Sequence, residues 1–328
     1  MADLDVVGMG NALVDVLTQA GEDFLAAQGL IKGAMQLVDE PRARQLHAAM
    51  GSAVEVSGGS AANTIVGVAS FGGRAHYVGK VRDDRLGEVF SHDLRTVGVG
   101  YSTPVATSGP PTGRCLIVVT PDAQRTLTTY LGASSQLGPA DVDRDLIARA
   151  GILYLEGYLF DPPEAQRAFR AAAEIAHAAG RRVALTLSDP FCVGRHRAAF
   201  LELVERHVDI LFANEAEICS LYTAPDFDGA LQRVRRHCAV AALTRSERGS
   251  VVVAGDEVHL IDAHEVKAVV DTTGAGDLYA AGFMVGLSRG LDLAICGRLG
   301  SLAAGEVISH VGARPQAPLV DLAGGLLR

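Results

Sequence analysis

The sequence lacks the features that mark several large protein classes. It has no tryptophan, its aromatic content is only 5%, and its 328 residues carry a formal net charge of −9. Nucleic-acid-binding proteins usually carry a basic stripe or patch, and this chain has no long basic block. Its densest basic group, at 233–237, is typical of a solvated helix face. These absences exclude a dedicated nucleic-acid-binding protein.

Cysteines are few and isolated. The chain has five, and none forms a Cys-x-x-Cys pair or a Cys/His cluster with metal-ligand spacing. Isolated thiols are typical of a reducing compartment. The acidic start at 1–5 runs directly into an apolar strand pattern and does not resemble a signal peptide. Uncharged stretches such as 57–73 are too rich in Gly, Ser and Thr to span a membrane. The sequence therefore predicts a soluble, cytoplasmic protein with no membrane partner.

Short β-branched or apolar runs alternate with helical patterns through most of the chain. The predicted strands are 5–9, 151–155, 182–187, 210–213, 240–243 and 250–253, and the predicted helices are 162–180, 196–207, 226–237 and 276–289. This alternation is typical of βαβ units around a parallel sheet. The sequence therefore predicts an α/β fold with helices on both faces of the sheet.

Two segments break the alternation. Segments 12–38 and 101–133 contain strand-like pieces joined by turn signals, with no helix between them. Together they could form a small sheet that acts as a lid, or they could extend the main sheet. We predict a large domain made of 1–11, 39–100 and 134–328, with the two exceptional segments as its β-sheet lid.

The most informative motif is Asp271-Thr272-Thr273-Gly274-Ala275-Gly276-Asp277, between a short apolar strand and a helix. Gly274 and Gly276 allow the backbone to approach a ligand closely. The first N–H groups of the helix and its macrodipole form an anion site. A carboxylate such as Asp277 is also common at helix starts. In the functional interpretation, Asp277 accepts the proton of an attacking hydroxyl while the amides hold a phosphoryl group.

This motif resembles the C-terminal signature of the PfkB family of ribokinase-like carbohydrate and nucleoside kinases. Segments that resemble the N-terminal signature and its continuation are, in chain order, Gly58-Gly59-Ser60-Ala61-Ala62-Asn63, Phe71-Gly72-Gly73, Val78-Gly79-Lys80-Val81 and Asp84-Arg85-Leu86-Gly87. Asn214-Glu215-Ala216-Glu217 resembles the NxxE motif of the family. The resemblance covers nearly the whole chain. It implies a ribokinase-like, doubly wound α/β/α sandwich with a small β-sheet lid.

The resemblance also implies roles for individual residues. Asp277 corresponds to the catalytic base, and Gly274, Ala275 and Gly276 correspond to the anion hole. Asn214 and Glu217 correspond to residues that organise Mg²⁺ through its water shell, as suits an ion that keeps several waters. The expected contacts with ATP are Asn214, Thr244, Ser246, Gly249, Gly274 and Gly276. Asp271 and Thr273 resemble a monovalent-cation site, for which K⁺ is the candidate ion.

The segment Gly8–Asp15 is similar to the adenosine-kinase branch, in which Asn11 and Asp15 face the ribose hydroxyls. The substrate contacts implied are Asn11, Leu13, Asp15, Gly58, Gly59, Ser60, Asn63 and Tyr158. Arg125 matches a lid arginine that closes over the phosphates, a task suited to a guanidinium. Tyr158 or Phe160 could stack the base, or the whole 156–160 cluster could be core.

These resemblances imply phosphoryl transfer from ATP to a primary hydroxyl of a ribonucleoside, with adenosine giving AMP, by a monomer or homodimer. Inosine, guanosine, ribose or fructose would use the same chemistry. A regulator without catalytic activity on the same fold is the alternative from another class. A dinucleotide-binding motif fails because Leu13 stands where its third glycine belongs. A Walker motif fails because Val81, not Ser or Thr, follows Lys80.

Overall fold

The structure is a computed structural model that describes residues 2–122 and 124–327. Met1, Ala123 and Arg328 belong to the predicted domain ranges and lie outside the described residues. The strands of the described ranges are β1 (Leu4–Met9), β2 (Leu13–Gln19), β3 (Met35–Leu37), β4 (Val54–Gly58), β5 (Ala75–Val78), β6 (Gly100–Tyr101), β7 (Gly113–Val119), β8 (Arg125–Tyr130), β9 (Ala150–Glu156), β10 (Arg182–Thr186), β11 (Ile210–Asn214), β12 (Val240–Thr244), β13 (Ser250–Ala254) and β14 (Glu257–Ile261). The α-helices are α1 (Glu22–Ala27), α2 (Glu40–Ala49), α3 (Ser60–Ser70), α4 (Arg85–Thr96), α5 (Arg144–Arg149), α6 (Pro163–Ala178), α7 (Pro190–His207), α8 (Glu215–Tyr222), α9 (Phe227–Val234), α10 (Ala275–Ser288), α11 (Leu293–Ile308) and α12 (Leu319–Ala323).

A nine-stranded sheet forms the centre of the molecule, in the order β14-β13-β12-β11-β10-β9-β1-β5-β6. The strands from β12 to β6 run parallel, and β13 and β14 are antiparallel additions at one edge. Each predicted strand of the large domain lies in this sheet. Its parallel strands read as apolar runs because both faces are buried.

Helices cover both faces of the large sheet. Side chains alternate along each strand, so Val6 packs into one core and Val7 into the other. The first core takes residues of α3, α4, α10 and α11, and the second takes residues of α5 to α9. The predicted doubly wound α/β/α sandwich is therefore confirmed. Within the described ranges, no helix is both long and apolar enough to cross a membrane.

A second sheet of five strands, in the order β3-β8-β7-β2-β4, is separate from the large one. Of the segments predicted to form a small sheet, 12–38 contributes β2 and β3 and 101–133 contributes β7 and β8, so these strands do not extend the main sheet. Segment 12–38 also contains the helix α1, which the sequence did not predict. Two boundaries differ from the prediction. Strand β4, expected in the large domain, pairs with β2 in the small sheet. Strand β6, which the predicted boundary divides between residues 100 and 101, pairs with β5 in the large sheet. Both strands are short, and their pairing depends on distant partners that local patterns do not reveal.

The parallel strands end along one edge of the large sheet. Leu155 of β9 pairs with Leu185 of β10, and Asn214 of β11 pairs with Thr244 of β12. In the large sheet, β1 lies between β5, which is the next strand of this sheet along the chain, and β9. Ligands of open α/β sheets bind at such a switch point, outside the carboxyl ends of the strands. The residues after β1, β9, β11 and β12 are therefore candidates for one site.

Candidate active site

The loop before α10 forms a turn whose geometry can accommodate an anion, and it is called the anion-binding turn below. Gly274 caps the helix with a φ of 80°, and a Cβ at this position would lie 2.8 Å from the carbonyl oxygen of Ala313. Only glycine suits both conditions. In the described ranges, the amides of Gly276 and Asp277 donate to no protein acceptor. Their N–H groups, at the positive end of the helix dipole, are available to an anion.

Asp277 lies in the first turn of α10 and faces the start of α3. Its Oδ1 accepts a hydrogen bond from Ser60 Oγ at 2.6 Å, and its Oδ2 accepts one from Asn63 Nδ2 at 3.2 Å. Burial raises the pKa of Asp277 to about 6, and the two donors counteract that rise. A carboxylate that is ionised near neutral pH and still accepts protons readily suits a general base.

Gly59 and Asn11 bring the start of α3 against the end of β1. Gly59 has a φ of 97°, and any side chain there would collide with the Asn11 carbonyl oxygen. The backbone N–H and Nδ2 of Asn11 donate to Glu156 Oε1 at 3.2 and 2.8 Å, and its Oδ1 accepts from Ser134. Asn11 is only 2% exposed. The Asn11 side chain thus donates to Glu156, because a buried carboxylate needs donors. It does not face the cleft, although the sequence predicts that it faces the ribose hydroxyls.

Asp15 marks the lid side of the cleft. It lies on β2 directly against Gly58 of β4, where any larger residue would collide with its carboxylate. Leu13, two residues earlier, is buried and pairs with Gly58. Burial raises the pKa of Asp15 to about 6, while the charges of Arg314 and Arg125 lower it. The carboxylate therefore shares the site with two guanidinium groups.

Arg125 and Asp271 join the lid to the anion-binding turn. Arg125 Nη2 lies 2.9 Å from Asp271 Oδ2, and the two side chains are 8% and 7% exposed. Asp271 Oδ1 also accepts from the backbone and hydroxyl of Thr273, and its Oδ2 accepts from the amide of Gly312. The guanidinium predicted to close over phosphates thus lies against the loop that begins the phosphate motif.

Asn214 and Glu217 bind one another at the start of α8. Glu217 donates its amide to Asn214 Oδ1 at 2.9 Å, and Asn214 Nδ2 donates to Glu217 Oε1 at 2.6 Å. Burial raises the pKa of Glu217 to about 7, and the carboxylates of Asp189 and Asp277 raise it as well. Among the described residues, no group of three or more His, Cys, Asp or Glu side chains could hold a metal ion directly, so this pair could serve a divalent cation only through water. Mg²⁺ usually keeps several waters, which suits a carboxylate already engaged by an amide.

The residues predicted to contact the nucleotide follow the neighbouring strand. Thr244 ends β12 and pairs with Asn214. Ser246 and Gly249 lie in the turn between β12 and β13, with φ values of 54° and 74°. Arg245 closes this turn by donating its amide to the carbonyl of Gly249. All three predicted residues therefore lie beside the Asn214/Glu217 pair at the same edge of the sheet.

The turn after β9 separates the candidates for base stacking. Leu159 and Phe160 are fully buried, and the Phe160 ring lies 4.4 Å from that of Phe200, centroid to centroid. Both residues belong to the core, so stacking by Phe160 is excluded. Tyr158 is partly exposed and donates its amide to Ser188 Oγ. It is the aromatic residue of this turn that can reach a ligand.

A family model described as pfkB family carbohydrate kinase matches residues 25–319. The matched range covers most of the chain and includes α3, the Asn214/Glu217 pair and the anion-binding turn. The chain belongs to the pfkB family. Membership makes it a kinase and implies ATP as the phosphoryl donor, generally with Mg²⁺.

Several pfkB-family proteins resemble the chain over nearly their whole length. The adenosine kinase of Sinorhizobium meliloti is 53% identical, with a TM-score of 0.92 over 98% of this chain and 99% of the other. A probable sugar kinase of Rhizobium etli is 48% identical, with a TM-score of 0.93 over 99% and 100%. Among curated proteins, the adenosine kinase of Saccharomyces cerevisiae is 27% identical over 94% of this chain and 95% of its own length. These solved structures confirm the ribokinase-like fold, and the adenosine kinases support the adenosine-kinase-like branch.

Sequence reasoning missed two polar residues of this pfkB-family site. Glu156 Oε2 accepts the amide of Ala61 at 2.8 Å, which ties β9 to the start of α3. A carboxylate at the end of an apolar strand is a signal that could have revealed it. Arg314 Nη1 donates to Ser57 Oγ at 2.7 Å, and its Nε donates to Asn63 Oδ1 at 3.4 Å. No periodic pattern surrounds Arg314, so the sequence carried no comparable signal for it.

A surface cavity was also missed. It measures about 550 Å³ and lies between the loop after β14 and helix α11. The residues that line it include His264, Lys267, Glu306 and Ser309. The loop from 262 to 274 is long for a connection without regular structure, and such loops are usually functional. The length of this loop is the sequence signal that could have drawn attention to this region.

Proposed function

We propose that this pfkB-family kinase transfers the γ-phosphoryl group of ATP to the 5′-hydroxyl of adenosine and so forms AMP. One observation carries the proposal: Asp277 lies between the free amides of the anion-binding turn and the Ser60/Asn63 pair of α3. A carboxylate placed there can meet an acceptor hydroxyl and the transferring phosphoryl group together. The high identity to the adenosine kinase of Sinorhizobium meliloti supports adenosine as the acceptor.

In the proposed reaction, Asp277 accepts the proton of the acceptor hydroxyl as the oxygen attacks phosphorus. The new P–O bond forms to this oxygen, and the bond to the bridging oxygen of ADP breaks. Amides of the turn from Gly274 to Gly276 donate to the equatorial oxygens, where negative charge is held in the transition state. Arg125 adds a positive charge from the lid side. The loose transition state requires positioning more than a strong base.

The donor half of the proposed site lies along the edge formed by β11, β12 and the loop after β14. Asn214, Thr244, Ser246 and Gly249 are the proposed contacts with ATP, and the cavity beside α11 has room for its base. Mg²⁺, held through water by Asn214 and Glu217, would neutralise phosphate charge. Glu217 fits this task because it is buried near two carboxylates that raise its pKa.

The proposed acceptor half lies under the lid. Asp15 would accept hydrogen bonds from sugar hydroxyls, beside the Gly58–Gly59 backbone, and Tyr158 would stack on the base. A sugar such as ribose or fructose is the second candidate acceptor, and the identity to the probable sugar kinase of Rhizobium etli favours it. Inosine or guanosine would use the same contacts. A regulator without activity is disfavoured because a phosphoryl-transfer base and its two donors are all in place.

A monovalent cation at Asp271 and Thr273 remains a proposal. Arg125 already lies against Asp271 Oδ2, so a cation bound there would share this carboxylate with the guanidinium. Activity measured in K⁺, Na⁺ and choline salts at equal ionic strength tests the site. Equal rates in the three salts would contradict it.

The deciding experiment is a panel of adenosine, inosine, guanosine, ribose and fructose with Mg-ATP, in which ADP release is followed. We expect adenosine to give the highest kcat/KM and AMP as the product, identified by mass spectrometry. Turnover of sugars alone would reject the nucleoside assignment and keep the kinase chemistry. No turnover of any acceptor would contradict the proposed function.

A further inference from the structure

Arg314 lies where the lid, helix α3 and the segment after α11 meet. It follows Gly312, whose amide donates to Asp271 of the anion-binding turn. Its Nη1 reaches Ser57 Oγ on the lid strand β4 at 2.7 Å, and its Nε reaches Asn63 Oδ1 on α3 at 3.4 Å. One guanidinium therefore contacts both elements that border the acceptor half of the site.

The contact with Asn63 fixes the orientation of its amide. A guanidinium only donates hydrogen bonds, so the oxygen of the amide must face Arg314. The Nδ2 of Asn63 then faces Asp277, to which it donates. Without Arg314, only the carboxylate of Asp277 would orient this amide.

The charge of Arg314 acts on Asp15. Asp15 lies against Gly58, which directly follows the Ser57 that binds Arg314. Among the charges that act on Asp15, Arg314 stabilises the ionised form most, followed by Arg125, while Asp277 opposes it. Arg314 Nη2 is buried without a hydrogen-bond partner in the described structure. A buried charged donor is costly unless it serves a neighbouring anion or a ligand.

We propose that Arg314 is a positioning residue of the acceptor half of the site. It fixes the Asn63 amide, and it supplies the positive charge beside which Asp15 accepts hydrogen bonds from the hydroxyls of the acceptor. This inference rests on the proposed function only in that the acceptor is a polyol. A nucleoside and a free sugar both meet that condition. The role is specific to the acceptor, because neither contact of Arg314 lies on the ATP side.

The test compares Arg314→Gln and Arg314→Lys with wild type, using the best acceptor of the panel. We expect Arg314→Gln to raise the KM of the acceptor about 10-fold or more and to leave the KM of ATP within about 2-fold. Lysine keeps the charge but not the fork of donors, so the Arg314→Lys variant should show a smaller rise. Arg289→Gln is a control for the loss of one guanidinium away from the acceptor half, since Arg289 is exposed and donates to the carbonyl of Phe71 at the far end of α3.

The pH dependence gives a readout that a purely structural role would not move. Loss of the Arg314 charge disfavours ionised Asp15, so acceptor binding by Arg314→Gln should weaken at a higher pH than in wild type. The charged groups that act on Asp15 are Arg314, Arg125 and Asp277, and only the first differs between the proteins. Melting temperatures of both variants identify any general loss of folding.

The outcomes separate the two proposals. If sugars alone are turned over and Arg314→Gln raises the KM of the sugar, the adenosine assignment fails and the role of Arg314 stands. If adenosine is turned over but the variant changes the KM of ATP and of adenosine equally, or changes neither, the role of Arg314 is wrong. An effect of Arg289→Gln equal to that of Arg314→Gln would also overturn it.

Discussion

Arg125 of the lid strand β8 lies 2.9 Å from Asp271 in the loop before α10, and both side chains are almost fully buried. The same guanidinium lies 3.4 Å from the hydroxyl of Thr273. This ion pair joins the small sheet to the segment that presents the anion-binding amides. The position of the lid is therefore coupled to the loop on which the proposed phosphoryl transfer depends.

Arg125→Met should reduce kcat by about 10²-fold or more, because it removes a charge from the proposed transition-state contacts. It also leaves Asp271 buried with one donor fewer, so faster proteolysis within the lid is expected. Steady-state kinetics and limited proteolysis measure the two effects. Arg85→Met is the control, since Arg85 of α4 is largely exposed and pairs with Glu55 of β4, and ion pairs with an exposed partner contribute little. A variant of Arg125 with normal kcat would refute its proposed role.

Gly274 and Gly276 should respond differently to alanine. At Gly274 the φ of 80° and the backbone of Ala313 at 2.8 Å both oppose a side chain, so Gly274→Ala should lower both stability and activity. At Gly276 a Cβ would meet nothing within 4 Å. Gly276→Ala should therefore keep the melting temperature of wild type while kcat falls about 10-fold or more, since the methyl group crowds the amides that face the phosphoryl group. Normal activity of Gly276→Ala would contradict the anion hole.

The sequence predicted most of the large domain because its strands are apolar runs with helices between them. Each predicted strand from 151 to 253 lies in the nine-stranded sheet. The lid was harder to predict. Strand β4 has only five residues and pairs with β2, about forty positions away, so local patterns carry little information on its partner.

The candidate site also contains residues that the sequence reveals and residues that it does not. Asp277, Gly274 and Ser60 belong to compact motifs, which is why the sequence singles them out, although the hydrogen bond between Ser60 and Asp277 joins segments 217 positions apart. Arg314 comes from a separate segment and acquires its contacts with Ser57 and Asn63 only through packing of the whole chain. Its role could not be predicted from the sequence because neither spacing nor periodicity relates it to its partners.

Asp277→Asn separates catalysis from stability. The amide cannot accept the proton, so kcat should fall about 10³-fold or more while the affinity for ATP, measured by calorimetry, stays near that of wild type. Asp256→Asn is a control, because Asp256 lies exposed at the tip of the hairpin between β13 and β14. A near-normal rate for Asp277→Asn would refute the assignment of the base.

The same substitution should stabilise the fold at neutral pH. The pKa of Asp277 is raised from 3.8 to about 6 in the folded protein. The folded state thus binds its proton more tightly than the unfolded state does, so wild-type stability decreases as pH rises from about 4 to 6. Asparagine carries no such charge. We expect Asp277→Asn to gain about 1–3 kcal/mol over wild type at pH 8 and almost nothing at pH 4. Denaturant unfolding at the two pH values provides the comparison, and equal gains at both would contradict it.

Ser60→Ala tests which carboxylate controls activity at low pH. The hydroxyl of Ser60 stabilises ionised Asp277, so its loss should raise the pKa of Asp277 above its value of about 6. Activity requires the ionised base, and the acidic limb of the kcat/KM profile should therefore move to higher pH by about one unit. Asp15, Glu156 and Glu217 also have raised pKa values in this range.

The shift of the acidic limb of the kcat/KM profile in Ser60→Ala shows which of these carboxylates sets that limb. Ser60 bonds to Asp277 and not to the other carboxylates, so a limb set by any of them would stay in place. Ser135→Ala is the matched control, because the Ser135 hydroxyl donates only to the carbonyl of Gly132, outside the site. If both variants keep the wild-type limb, Asp277 does not titrate in the rate-controlling step. A limb that moves in Ser60→Ala alone identifies Asp277 as the group whose ionisation the reaction requires.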